Sequence, residues 1–309
     1  METLTIDVST IRFDENAVRA LNILVMFLMF GIALDIRPAD FGRLVRRPRV
    51  PLVGLLSEYV YLPLLTVAMI VLFQPAPSIA LGMILLSVCP GGSVSNYMVY
   101  ISRSNAALSI LLTAVTTLAA TFLTPAAFSF WSNSGLIELP ETLRTAIDVD
   151  VLDMIFSVAQ VILVPLAVGM FIHVRYPKLK SRIERPIKTI SMLLFLGFVV
   201  VAVGGNIGAL QQYLGLIFTI VLVHNALAML GGYTIGKLFR LSEPNARTVA
   251  IETGIQNTAL GMYLIFNFFG GNGGMLLVLA WWGIWHLLSG FGIALLWRRS
   301  AEKTVRTPA

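Results

Sequence analysis

The chain has 309 residues, of which 57% are hydrophobic and only 12% charged. A soluble domain carries about 25% charged residues, so this composition leaves too little polar surface for a water-exposed globule and points to a polytopic helical membrane protein. The formal charge is +6 and there is a single cysteine, Cys89; that excludes an internal disulfide and a thiolate metal cluster, while the basic residues sit in short loops, as membrane orientation predicts, and not on a nucleic-acid-binding face.

Nine apolar segments follow one another, at 17–36, 49–73, 78–102, 105–132, 149–173, 187–207, 211–238, 244–269 and 274–297. Each is near the ~20 residues that cross a bilayer. Residues 1–16 form a polar, acidic N-terminal segment with no basic region leading into a short apolar one, so it does not read as a signal peptide. The first segment ends at Asp35, beside a basic loop, where pairing with Arg37 or a neighbour is expected. The second holds Glu58 in the middle of the run Pro51–Phe73. In the third, Pro90-Gly91-Gly92 breaks the helix, because proline removes a donor and glycine weakens the turn. Freed backbone groups at that depth must be buried in protein or line a wet cavity.

The fourth segment repeats a hydroxyl every four residues (Ser109, Thr113, Thr117, Thr121), which lines one face of a helix. For Thr117 and Thr121 small-residue helix packing is the plainer role. The eighth segment carries Glu252 in IETGIQN, beside Thr253, Gly254, Gln256 and Asn257. A neutral histidine such as His224 or His286 is commonly a helix-to-helix hydrogen-bond donor. Trp281, Trp282, Trp285 and Trp297 are expected to be packing and interfacial anchors. Residues 298–309 read as a cytoplasmic tail.

Glu58 and Glu252 are the sharpest features. An ionised side chain at bilayer depth costs at least ~2.5–3.5 kcal/mol, so such a residue faces a partner, a cavity or a pathway. With the N-terminus outside and the C-terminus inside, 19 of the 22 Lys and Arg residues fall in inner loops. Only Arg12, Arg19 and Arg144 remain outside, and this asymmetry sets the orientation. The third and eighth segments both place glycine beside a polar pair, Ser95-Asn96 and Gln256-Asn257. They run in opposite directions, so a repeat relating them is inverted: helices 1–4 (17–132) against the second repeat (149–297), whose first helix has lost its partner. Interrupted helices at matching positions of inverted repeats mark the binding site of secondary transporters.

The motifs CPGGSVSN, NAALSILLTAVTTL, IETGIQN and WH, with FGIALDI, YLPLL and HN at 224–225, resemble the bile acid:sodium symporter family, especially its bacterial members, from about residue 17 to 297. The resemblance implies core and panel domains with two discontinuous crossing helices, in a version that lacks the first helix of ten. It also implies two sodium ions. One site would use Ser95, Asn96, Ser109, Thr113 and Glu252. The other would use Glu58, Glu252, Gln256 and backbone carbonyls at Thr253 and Ile255. Ser93, Asn257 and His286 would contact the substrate.

One carboxylate between two hard cations recovers part of its own desolvation cost, which agrees with that arrangement. Position 58 is usually glutamine in the family and is glutamate here. Either Glu58 carries a proton, or the site takes a neutral substrate or holds sodium more tightly. The function expected is import of a small organic anion (bile-acid-like, pantoate-like or keto-acid) across the cell inner membrane, coupled to sodium by alternating access. Proton-coupled or uncoupled carriage is the alternative. An intramembrane enzyme is remote, since the three scattered histidines lack metal or triad spacing. Nothing requires nucleic acid or an obligatory protein partner.

Overall fold

Apolar runs in lipid must satisfy every backbone group internally, and helices do so. The computed structural model describes residues 15–36, 42, 48–135, 141, 143, 149–204 and 213–306. Its helices are α1 (Glu15–Ala33), α2 (Arg49–Phe73), α3 (Pro77–Ser87), α4 (Val94–Ile101), α5 (Ala106–Ser132) and α6 (Val151–Arg175). They continue with α7 (Pro177–Gly204), α8 (Leu214–Leu238), α9 (Glu243–Gly254), α10 (Thr258–Phe268) and α11 (Gly273–Arg306). Among the described residues, six helices are long and apolar enough to cross a membrane: α1, α2, α5, α6, α8 and α11. Their outer faces keep large apolar side chains exposed, such as Leu72 and Leu238, as a lipid-facing surface requires.

Side chains set where helices begin. Asn105 Oδ1 accepts the Leu108 amide at 3.1 Å, Asp150 Oδ1 accepts that of Leu152 at 2.8 Å, and Asn272 Oδ1 accepts that of Met275 at 3.1 Å. Each satisfies an amide that the first helical turn leaves orphaned. At the far end of α2, Gln74 adopts the left-handed conformation (φ 43°) and Pro75 prevents further winding.

The third and eighth apolar segments are each split, as expected: α3 stops at Ser87 and α4 starts at Val94, while α9 stops at Gly254 and α10 starts at Thr258. Two boundaries differ from the apolar pattern. The helix of the sixth segment begins ten residues early, at Pro177, because Lys, Arg and Glu favour helix even where they are too polar for lipid. The last helix likewise runs past residue 297 to Arg306, so part of the supposed tail is helical. Residues 205–207 of the sixth segment lie outside the described residues.

α1 packs on α6 and α7, which also touch one another, while α8, α9 and α11 pack together with α3 and α4. α5 lies between the groups, against α6 on one side and α9 and α4 on the other. α8 and α9 cross closely. A Cβ on Gly232 would stand 3.0 Å from the Ala250 Cα, and one on Gly236 would stand 2.8 Å from the Ala246 Cα. Glycines four residues apart therefore let two backbones touch, the usual close-packing device of membrane helices.

Polar contacts tie helix ends. Arg49 donates to the Phe239 carbonyl at 2.9 Å, Asn105 Nδ2 to Asn245 at 2.8 Å, and Arg247 to the Trp297 carbonyl at 3.3 Å. Asp35 pairs with Lys188 of α7 at 2.5 Å; Arg37, the nearer partner in sequence, lies outside the described residues. Trp282 is fully buried against His224 and is a core residue instead of an interfacial anchor. Trp297 lies within the last third of α11, stacked on Tyr233 and under Arg247.

Candidate functional site

The two broken segments meet at their breaks. Gly91 and Gln256 face each other in an antiparallel bridge. The Gly92 amide donates to the Ile255 carbonyl at 2.8 Å and the Asn257 amide to the Pro90 carbonyl at 2.8 Å. Two backbones that have lost their helical partners thus supply each other, which is how non-helical chain survives at depth. The bridge demands glycine: a Cβ on Gly92 would lie 2.9 Å from the Gln256 carbonyl oxygen. Beyond the bridge, Asn257 Oδ1 caps α10 by accepting the Leu260 amide at 3.1 Å.

Glu252 lies in the last turn of α9 and is fully buried. Ser109 Oγ donates to its Oε1 and Thr113 Oγ1 to its Oε2, the latter at 3.1 Å. The same hydroxyls reach Asn96 Oδ1 at 2.8 and 3.4 Å. Ser95 Oγ is buried beside the Glu252 carboxylate. Four of the residues proposed for the first ion (Asn96, Ser109, Thr113 and Glu252) are therefore one hydrogen-bonded cluster, drawn from α4, α5 and α9.

Glu58 belongs to a π-helical turn, Ser57–Tyr61, inside α2. The wider turn is a local departure often found at functional positions. Both Glu58 oxygens are buried without a hydrogen-bond partner, and so is Gln256 Oε1. The Gln256 amide donates to the Thr253 carbonyl at 3.1 Å. The residues proposed for the second ion therefore gather at the crossing, with the Ile255 carbonyl already engaged in the bridge. A carbonyl oxygen has a second lone pair for a cation.

Ser93, half-buried, precedes α4 at the break. His286 lies on α11 between Gly283, which faces Thr258, and Gly290, which faces Ile255. Its Nδ1 is buried and unpartnered. Asn257 is buried as the cap of α10. All three border the crossing. His224 instead joins Thr66 at 2.9 Å between α8 and α2. Thr117 and Thr121 are buried with unpartnered hydroxyls, and it is their neighbour Thr116 that receives the Gly91 amide, at 3.3 Å.

Three supporting residues escaped the sequence reading. Ser57 bonds the Thr253 hydroxyl at 2.7 Å, Asn225 donates to the Gly254 carbonyl at 2.7 Å, and Ser289 donates to Asn225 at 2.6 Å. Asn225 alone carried a signal, in the HN pair at 224–225.

A helical bundle with apolar outer faces, two broken helices crossing at its centre and buried carboxylates at the crossing is a membrane transporter by class. Residues 22–213 match the Sodium Bile acid symporter family. The chain belongs to that family, one of sodium-dependent membrane transporters and not of enzymes. It is 29% identical over 283 residues to the uncharacterized sodium-dependent transporter YocS of Bacillus subtilis (strain 168), covering 92% of this chain and 84% of YocS. It is 34% identical over 239 residues to the probable sodium/metabolite cotransporter BASS2, chloroplastic, of Oryza sativa subsp. japonica, covering 77% of this chain and 54% of that protein. With BASS1, chloroplastic, of Arabidopsis thaliana it shares 30% identity over 279 residues, 89% of this chain and 66% of that protein. The chain thus spans only about half to two thirds of these plant relatives.

Proposed function

We propose that this protein is a symporter that couples two sodium ions to the uptake of a small organic anion by alternating access. One observation carries the reading: at the crossing of two broken helices, Glu58 and Gln256 present three buried oxygens that no donor meets, next to Glu252. Acceptors without donors, buried among hydroxyls and carbonyls, suit a hard monovalent cation. The relatives are named as sodium-dependent or sodium/metabolite carriers, which supports sodium as the driving ion. The first ion is held by Ser95, Asn96, Ser109, Thr113 and Glu252. The second is held by Glu58, Glu252, Gln256 and the carbonyls of Thr253 and Ile255. Ser93, Asn257 and His286 line the substrate side.

In this reading the chain crosses the inner membrane nine times as two inverted repeats, N-terminus outside. The concentration of Lys and Arg on the side given to the C-terminus supports that orientation. The group α1, α6 and α7 is the panel that moves against the remaining core.

The test is uptake of bile-acid-like, pantoate-like and keto acids into proteoliposomes. An imposed sodium gradient without a pH gradient drives uptake of at least one acid, and Glu252→Ala or Gln256→Ala abolishes it while insertion is retained. Uptake driven by a pH gradient alone, with both variants as active as the parent, refutes the assignment.

A further inference from the structure

The charged residues at the start of α7 divide into two stripes, and the protein answers only one of them. Lys180, Glu184 and Lys188 lie four residues apart, and Ser191, Phe195 and Val199 continue that line along the buried side of the helix. This stripe faces α1 and closes on itself: Lys180 pairs with Glu184, and Lys188 with both Glu184 and Asp35. Lys178, Arg182 and Arg185 lie on a different side of the helix, at spacings of four and three residues. All of them are exposed, and among the described residues no carboxylate pairs with them.

The same side of α7 runs on into lipid-facing chain. From Arg185 the helical spacing leads to Thr189, Leu193 and Val200, and the last two are 60% and 64% exposed. Ile190 flanks that line and is exposed as well. One continuous face therefore carries cations at one end and hydrocarbon at the other. At a rise of 1.5 Å per residue, Lys178 to Arg185 spans about 10 Å of helix. The headgroup layer on one side of a bilayer is about 5–8 Å deep, so the stripe crosses it from the water to the first apolar turn. An excess of basic residues at one membrane face sets orientation, but it makes no demand on which side of a helix carries them. Water would solvate them on any exposed side. Their alignment with Leu193 and Val200 instead puts the cations over the headgroups of the lipids whose tails those side chains touch.

We propose that Lys178, Arg182 and Arg185 form a docking site for the headgroup of an anionic phospholipid, whose acyl chain lies along Ile190, Leu193 and Val200. The phosphodiester offers the acceptors that guanidinium groups take in pairs, and its charge meets cations that the helix leaves unpaired. An acidic soluble protein would match the charge but not the apolar continuation of the face. The docked lipid fixes the depth of α7 in the bilayer, and through the Lys188–Asp35 bridge that of α1 as well. The site needs the chain to lie in a bilayer but not a particular leaflet, so it stands apart from the sodium and orientation readings.

Native mass spectrometry of the purified full chain, given equal amounts of phosphatidylglycerol and phosphatidylcholine, tests the proposal. The parent is expected to retain phosphatidylglycerol with a preference of about tenfold or more, since each basic residue near a lipid surface contributes about fivefold. The triple variant Lys178→Gln, Arg182→Gln, Arg185→Gln is expected to lose that preference while its thermal midpoint in phosphatidylcholine matches the parent. Arg182→Gln alone, a milder change, is expected to lower the preference about fivefold. A charge-matched control, Arg298→Gln, Arg299→Gln, Lys303→Gln at the end of α11, keeps it. No preference in the parent, or equal loss in both triple variants, overturns the proposal, because the attraction is then absent or only diffuse. Soluble glycerol phosphate that displaces the lipid at equal concentration also overturns it, since the apolar half of the face then contributes nothing.

Discussion

Gly92 is where residue chemistry decides the fold of the site. Its amide serves the Ile255 carbonyl and its missing side chain lets the Gln256 carbonyl approach. Gly92→Ala forces that backbone apart, at a cost of about 1–3 kcal/mol. A lowered thermal midpoint together with lost uptake is the expected result, and an unchanged midpoint would mean that the broken segments do not cross there. Much of this was legible in the sequence. A carboxylate in an apolar run has no comfortable explanation, so Glu58 and Glu252 stood out. Ser109 and Thr113 share a helical face, and that periodicity survives without coordinates. Ser57, Thr116 and Ser289 did not stand out, because an isolated hydroxyl in an apolar helix already has a local explanation in bonding its own preceding turn. Thr66 does so here, to the Leu62 carbonyl at 2.8 Å, alongside its tie to His224.

Among the elements, the broken helices were foreseeable because proline and paired glycine leave a mark in the sequence. The π-helical turn around Glu58 left none, since Ser57–Tyr61 contains no breaker; in the structure it packs on α8 and α9. The end of α9 depends on a similar long-range contact. Asn225, fully buried on α8, supplies the Gly254 carbonyl with the donor that the helix terminus lacks. Asn225→Ala leaves that carbonyl unsatisfied, at about 1–3 kcal/mol. The carbonyls on either side, at 253 and 255, then lose their fixed direction. The expected outcome is weaker sodium-dependent stabilisation at near-normal expression; sodium dependence equal to the parent would make Asn225 merely structural.

In the N-terminal part of α7, Lys188 bridges Asp35 at 2.5 Å and Glu184 at 2.9 Å, and Lys180 meets Glu184 at 2.5 Å. Burial, with the Glu184 carboxyl beside it, pushes Asp35 up to about 6. Despite partial burial, hydrogen bonds from Asp35, Lys180 and Lys188 hold Glu184 down at about 2. The signs are opposite. The Asp35 contribution is present at low pH and lost as pH rises from 3.8 through about 6. That of Glu184 is present above 4.5 and lost as pH falls towards about 2. Thermal midpoints should therefore rise as pH falls from 8 to 5 in the parent and stay flat in Asp35→Asn. Parallel profiles would exclude Asp35 as the titrating group.

On the scale of the whole molecule, the two packing groups touch at few polar points. One is a reciprocal amide pair between Asn22 of α1 and Asn267 of α10, at 3.2 and 2.9 Å. If the panel moves against the core, joining these positions stops transport. Cysteines at 22 and 267, joined by a short thiol linker, should abolish uptake reversibly with reductant; Cys89 is buried and does not interfere. Uptake that continues through the linked protein would rule out this motion. The grouping of α1 with α6 and α7 was hidden from the sequence read for itself, because an apolar run facing lipid and helices alike does not mark its partner, and α1 lies far from α6 and α7 in the chain. The resemblance implied a panel and a core without saying which helices form each. The most direct test of the whole account is the thermal midpoint of the purified protein in sodium against potassium, for the parent and for Glu252→Ala. The account predicts stabilisation by sodium in the parent alone, and an equal sodium response in both proteins would contradict it.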